Sequence, residues 1–187
     1  MIHLLLTLFA CSNDKTSDTS IEAGPPTFAT LATDGSTTVN SVEPSRYLGL
    51  WYEIASTPIP QQSACTGTTA EYTLKDDTTI NVYNRCYLGS LDGEENTILG
   101  SARFIDESYA KLLVDFGFGF EAPYNIVELD GQVGETPYEF AAVASIGALW
   151  ILSRTPKIDD GVLEELLKRL EVRDFPVENL QYTEHAQ

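Results

Sequence analysis

From Arg46 onward, apolar and polar residues alternate in short runs separated by Gly, Pro, Asp and Asn. A period of two puts successive side chains on opposite faces of a strand, so each run predicts a strand with one dry face. The runs are Trp51–Ser56, Thr68–Lys75, Thr79–Cys86, Thr97–Ile105, Ala110–Phe116, Tyr124–Leu129, Tyr138–Ala144 and Leu149–Ser153. Eight strands at this spacing predict an all-β fold over residues 45–187, an eight-stranded antiparallel up-and-down barrel.

The hairpin Thr68–Cys86, turning at Asp76-Asp77, shows the alternation most clearly. Ala70, Tyr72 and Leu74, with Ile80 and Val82 on the partner, are its expected dry face. Thr69, Glu71, Thr73, Thr79, Asn81 and Tyr83 are its wet face. The next hairpin repeats the pattern with Ala102 and Phe104, then Leu112, Val114 and Phe116. Small and large residues mix on these inner faces, which suits a filled core or a pocket.

After the last strand the period changes. Beyond Pro156, Asp159-Asp160 are N-cap candidates, and Leu163, Leu166, Leu167 and Leu170 recur at helical spacing. They predict one C-terminal α-helix whose leucine stripe packs on the outside of the barrel. Leu180–Thr183 is expected to add a short final strand.

Three cysteines are present. Reflecting the first hairpin about its turn brings Cys65 and Cys86 within a residue or two of facing each other. Cross-strand spacing suits a disulfide, which is therefore expected. Cys11 ends the apolar run Ile2–Ala10, which reads as a signal peptide over residues 1–10. Leu8-Phe9-Ala10-Cys11 resembles a bacterial lipoprotein box, although Phe9 is bulkier than is usual there. The resemblance implies that Cys11 becomes a lipidated N-terminus, firmly anchored by several acyl chains. Ser12 follows, not Asp, which implies the outer membrane. Residues 11–44, rich in Ser, Thr, Asp, Pro and Gly, read as a tether.

Lys and Arg number 11 against 28 Asp and Glu, a formal net charge of -17. Such a surface repels phosphate backbones and anionic lipid heads, so neither nucleic acid nor electrostatic membrane docking is expected. His3 and His185 lie near the two ends, remote from any nucleophile within the domain. No cysteine–histidine set suits zinc, and Gly117-Phe118-Gly119 lacks the lysine of a phosphate loop. Asp76, Asp77, Asp92, Glu94, Glu95, Asp106 and Glu107 read as solvated turn residues. Neither catalytic residues nor a cofactor nor a metal is expected. Glu53 shares the phase of Trp51, so it is expected to face inward with Arg103 or Arg154 as its partner.

Several segments together carry a family likeness. Tyr47-Leu48-Gly49-Leu50-Trp51-Tyr52-Glu53-Ile54-Ala55 resembles the Gly-x-Trp entry motif of lipocalins. Tyr72-Thr73-Leu74 and Ile80-Asn81-Val82-Tyr83-Asn84 fit the first hairpin of that family, and Tyr124-Asn125-Ile126-Val127-Glu128-Leu129-Asp130 fits its middle motif. Leu149-Trp150-Ile151-Leu152-Ser153-Arg154-Thr155-Pro156 resembles the closing strand with its arginine. The turn-rich Gly131 to Pro137 segment is longer than usual, and Gly117-Phe118-Gly119-Phe120 resembles the aromatic-glycine loop of the bacterial lipocalin branch.

The resemblance covers Pro44 to about Thr183. It implies structural roles for Gly49, Trp51 and Arg154, with the arginine stacked on the indole at the closed end of the barrel. It also implies a non-enzymatic protein that binds, carries or stores a small hydrophobic ligand, a fatty acid or a lysophospholipid. The expected lining is Tyr72, Ile80, Val82, Ala102, Phe104, Leu112, Val114, Phe116 and Tyr124. Two alternatives stay open: an isomerase that uses a free barrel cysteine, and a lipoprotein whose barrel is filled by its own side chains.

Overall fold

The computed structural model describes residues 37–130 and 136–186. The expected signal peptide and Cys11 lie outside these residues, as do most of the tether and five residues of the Gly131 to Pro137 segment.

A one-turn helix, α1 (Pro44–Tyr47), leads into β1 (Gly49–Ser56). Seven further strands follow in antiparallel sequence: β2 (Cys65–Asp76), β3 (Thr79–Leu88), β4 (Glu95–Phe104), β5 (Lys111–Asp115), β6 (Glu121–Leu129), β7 (Phe140–Ser145) and β8 (Ala148–Ser153). Each pairs with its neighbour in the chain, and β1 pairs with both β2 and β8, so the sheet closes on itself. Closure removes exposed strand edges.

The β1–β2 pairing runs only from Gly49↔Tyr72 to Tyr52↔Thr69. Beyond it a bulge at Glu53/Ala55 turns β1 away. A last strand, β9 (Gln181–Tyr182), pairs with Ala55 and Ser56 in the gap. The next residues reach across to β2, where Gly67 N donates to Glu184 O at 2.8 Å. The C-terminal segment therefore seals the seam.

Antiparallel order places the connections at residues 57–64, 89–94, 116–120 and 146–147 at one end, the mouth. The turns at 77–78 and 105–110 lie at the other end with α1. Residues 37–44, expected as the end of the tether, are part of the packed structure. Val39 N donates to Ile126 O, Val42 N donates to Ser108 O, and Val42 is buried. These backbone bonds need partners that only the barrel supplies.

Two apolar cores result. The inner one fills the closed half with residues such as Trp51, Tyr72, Ile80, Val82, Leu112 and Ile126. The outer one lies between the barrel wall and α2 (Asp160–Val172). Asp159 caps α2, its side chain accepting from Gly161 N (2.9 Å) and Val162 N (3.1 Å). Leu166 and Leu170 are fully buried against Ala142, Leu149 and Ile151. Burial of each leucine contributes about 1.5–3 kcal/mol.

Two assignments of the first hairpin change. Leu74, expected on the dry face, is 53% exposed, because it sits at the bottom of the hairpin below the packed interior. Thr69, expected on the wet face, is buried; a register shift between Thr66 and Thr69 and the nearby C-terminal segment account for it.

Candidate functional site

The closed end is built around one cation. The Arg154 guanidinium, just past β8, lies 3.8 Å from the centroid of the fully buried Trp51 ring. Its Nε donates to Tyr138 O (2.9 Å), Nη1 to Leu50 O (2.7 Å), and Nη2 to Arg46 O (2.8 Å), Leu48 O (2.9 Å) and Tyr47 O (3.1 Å). Trp51 Nε1 donates to Tyr47 O at 2.8 Å. Gly49 takes φ +95°, a value that L side chains rarely adopt, where the chain turns from α1 into β1. Burial lowers the Arg154 pKa, but an arginine keeps its charge, and the carbonyl dipoles it meets replace lost water. Gly49, Trp51 and Arg154 thus form one joint that closes the floor.

Above that floor lies a small apolar cavity of about 20 Å³. Eight of the nine residues expected to line a ligand surround it: Tyr72, Ile80, Val82, Ala102, Phe104, Leu112, Val114 and Tyr124. The ninth, Phe116, packs on the same core but stands beside Gly100, where an added Cβ would come 2.6 Å from its ring. Tyr47, Leu48, Tyr109 and Ile126 join the lining without having been expected. Ile126 shares the inward phase of Tyr124, which was the available signal. Tyr47 precedes the first strand, where no alternation exists to reveal a face.

Three tyrosines meet in this lining. Tyr124 Oη is 2.8 Å from Tyr47 Oη and 2.9 Å from Tyr72 Oη. Burial pushes the Tyr72 pKa up to about 12. Burial also raises Tyr47 and Tyr124 well above the ordinary phenol value; both neighbouring phenols push Tyr124 further, whereas at Tyr47 the Tyr72 phenol adds to the rise and the hydrogen bond with Tyr124 offsets part of it. The cluster stays neutral and offers hydroxyls that both donate and accept.

Toward the mouth the same inner phases lose their cover. Ala70, Asn84, Ile98, Phe116, Ala122 and Trp150 are only half-buried. Glu53 pairs in register with Leu152, a residue of the inner core, so it does face inward. Its expected arginine partner is wrong. Arg103 forks onto Glu121 with two bonds of 2.8 Å, and Arg154 is committed to the floor. Glu53 Oε1 instead accepts from Thr183 Oγ1 (2.6 Å) and Ser56 Oγ (3.2 Å). The C-terminal segment that supplies Thr183 joins the barrel only through tertiary pairing, so the sequence alone does not show it. Burial raises the Glu53 pKa, and the two hydroxyls offset that in part.

Cys65 and Cys86 form a disulfide, Cα atoms 5.4 Å apart, at the mouth end of β2 and β3. Neither sulfur is a free thiol. Among the described residues no cluster of His, Cys, Asp and Glu suits a metal ion, and no helix is long and apolar enough to cross a membrane.

A lipocalin-like domain model matches residues 42–185, nearly all of the described chain. The chain belongs to the lipocalin family. The outer membrane lipoprotein Blc of Citrobacter freundii is 38% identical over 149 residues, covering 78% of this chain and 81% of that protein. A putative lipocalin of Acanthamoeba polyphaga mimivirus is 33% identical over 150 residues, covering 75% and 83%. In solved structures, insecticyanin from Manduca sexta shares the fold, with a TM-score of 0.64 at 18% identity over 81% of this chain and 85% of that one. The closed floor, apolar lower lumen and looser mouth of this lipocalin make a one-ended container.

Proposed function

We propose that this lipocalin binds a single-chain amphiphile, a fatty acid or lysophospholipid, with its tail in the lumen and its head at the mouth. The observation that carries the reading is the burial gradient along the inner face. Trp51, Tyr72, Ile80, Val82 and Leu112 are buried, whereas Ala70, Phe116 and Trp150 nearer the mouth are half-buried. Burial of a tail is favourable by about 25 cal/mol per Å² before the cost of ordering it. Tyrosine hydroxyls within an apolar wall match the usual make-up of small-molecule sites.

Cys11 is the lipid attachment site in this reading, holding the barrel at the outer membrane for transport or storage of the ligand. The resemblance of residues 8–11 to a lipoprotein box and the likeness to Blc support that placement. Mass spectrometry of membrane-extracted protein tests it: acyl chains on Cys11 are expected, and an unmodified Cys11 overturns the anchor.

One observation favours a second reading, a barrel filled by its own side chains. The lower cavity of about 20 Å³ has room for little more than one water. A tail must therefore occupy the upper lumen or move Phe104 and Tyr124. Titration of the tryptophan emission with dodecanoate and with a lysophosphatidylcholine separates the two readings. Saturable change supports the carrier and ranks the two classes; a flat response from both supports the filled barrel.

A further inference from the structure

The β5–β6 connection at the mouth reads Asp115-Phe116-Gly117-Phe118-Gly119-Phe120-Glu121. Gly117 and Gly119 take φ +81° and +83°. Phe118 and Phe120 are 67% and 66% exposed, although phenylalanine carries a large apolar surface. The β7–β8 turn, at the same end, presents Ile146 at 63% exposure. Because β6 and β7 are neighbours, the two tips stand about 10 Å apart, two strand spacings. No packing in the barrel requires these three side chains. The acidic groups that flank them are held in place: Glu121 by the Arg103 fork, Asp115 by the bond it accepts from Gly117 N at 2.7 Å.

We propose that Phe118, Phe120 and Ile146 form an apolar tip that inserts into a zwitterionic lipid surface and turns the mouth of the barrel toward it. Charge selects this occupant. A net charge of -17 opposes an anionic surface and opposes a second copy of the same chain, but leaves apolar insertion into neutral lipid open. Chain length permits the orientation. The described residues begin at Thr37, which lies 26 positions after Cys11 and is held by Arg173 at the end of α2. That length spans up to about 90 Å, well beyond the roughly 33 Å of a ten-residue strand. A chain anchored at Cys11 can therefore lie mouth-down on its own membrane. The tip does not depend on what the lumen holds.

The test uses the full chain with Cys11→Ser, so that no lipid is attached, and vesicles of phosphatidylcholine with brominated acyl chains. Phe120→Trp and Ile146→Trp place reporters at the tip. Leu74→Trp places one at the opposite end, where Leu74 is 53% exposed. Blue-shifted, quenched emission from the tip reporters, with Leu74→Trp unchanged, is expected. Phe118→Asp with Phe120→Asp is expected to lower vesicle partitioning at least about tenfold. Equal quenching at both ends, or none at the tip, overturns the proposal. So does partitioning that survives the double substitution, which would place the contact elsewhere. A concentration-dependent dimer, seen by sedimentation and lost with the same substitutions, would assign the tip to a second copy instead.

Discussion

Arg154 stacks on Trp51 at 3.8 Å while its three nitrogens donate to five backbone carbonyls. One side chain thus joins α1, the start of β1 and Tyr138 in the segment that leads into β7. Lysine has a single ammonium and cannot fan across these acceptors. Arg154→Lys is expected to cost about 1–3 kcal/mol and Arg154→Ala about 2–4 kcal/mol in urea unfolding, because the carbonyls lose their partners. Both variants should shift the Trp51 emission.

The tyrosine cluster predicts an alkaline signature. Folding raises the pKa of Tyr47, Tyr72 and Tyr124, so between about 10 and the raised values the folded state holds more protons than the unfolded. Stability must then fall as pH rises through that interval. Absorbance at 295 nm should show that three of the nine tyrosines stay neutral until the barrel unfolds. Tyr124→Phe removes the shared hydroxyl and is expected to cost about 1–3 kcal/mol.

Glu53 gives the opposite end of the pH scale. Its pKa is raised by burial, so the folded state favours the protonated form. Its contribution to stability is fully present below the ordinary carboxylate value and declines as pH rises through the raised one. Glu53→Gln keeps the shape and an oxygen acceptor for Thr183 and Ser56 without the charge. The variant should be the more stable protein at pH 8, and its advantage should shrink on acidification toward pH 4. An advantage independent of pH would mean that Glu53 does not titrate in this range.

The disulfide closes a loop with a sequence separation of 21. Restricting the unfolded chain by such a loop is worth about 3 kcal/mol. Cys65→Ala with Cys86→Ala should lower stability by that order, read as a shift of the urea midpoint, while ligand titration retains its stoichiometry.

Much of this architecture is legible in the residues themselves. Period-two runs locate the eight strands because one face of each is buried, and the Leu166/Leu170 stripe locates the helix for the same reason. Eight of the nine expected lining residues surround the cavity, since phase alone determines which way a strand residue points. The misses are long-range. Thr183 reaches Glu53 across 130 residues, and Tyr47 reaches Tyr124 across 77. Neither contact has a local signature. The packing of residues 37–44 on the closed end is likewise set by backbone bonds to Ile126 and Ser108, which composition does not reveal. Polar Ser, Thr and Asn in that stretch read as solvated until their partners are seen.

The most direct test of the carrier reading is calorimetric titration of dodecanoate and a lysophosphatidylcholine into the protein and into Ala122→Trp. Ala122 pairs with Val114 at the mouth end of β6 and is half-buried, so a tryptophan there fills the upper lumen away from the Trp51–Arg154 floor. One-to-one binding in the micromolar range, weakened at least about tenfold in Ala122→Trp, is the predicted result. Absence of saturable binding, or equal affinity in the two proteins, would contradict it.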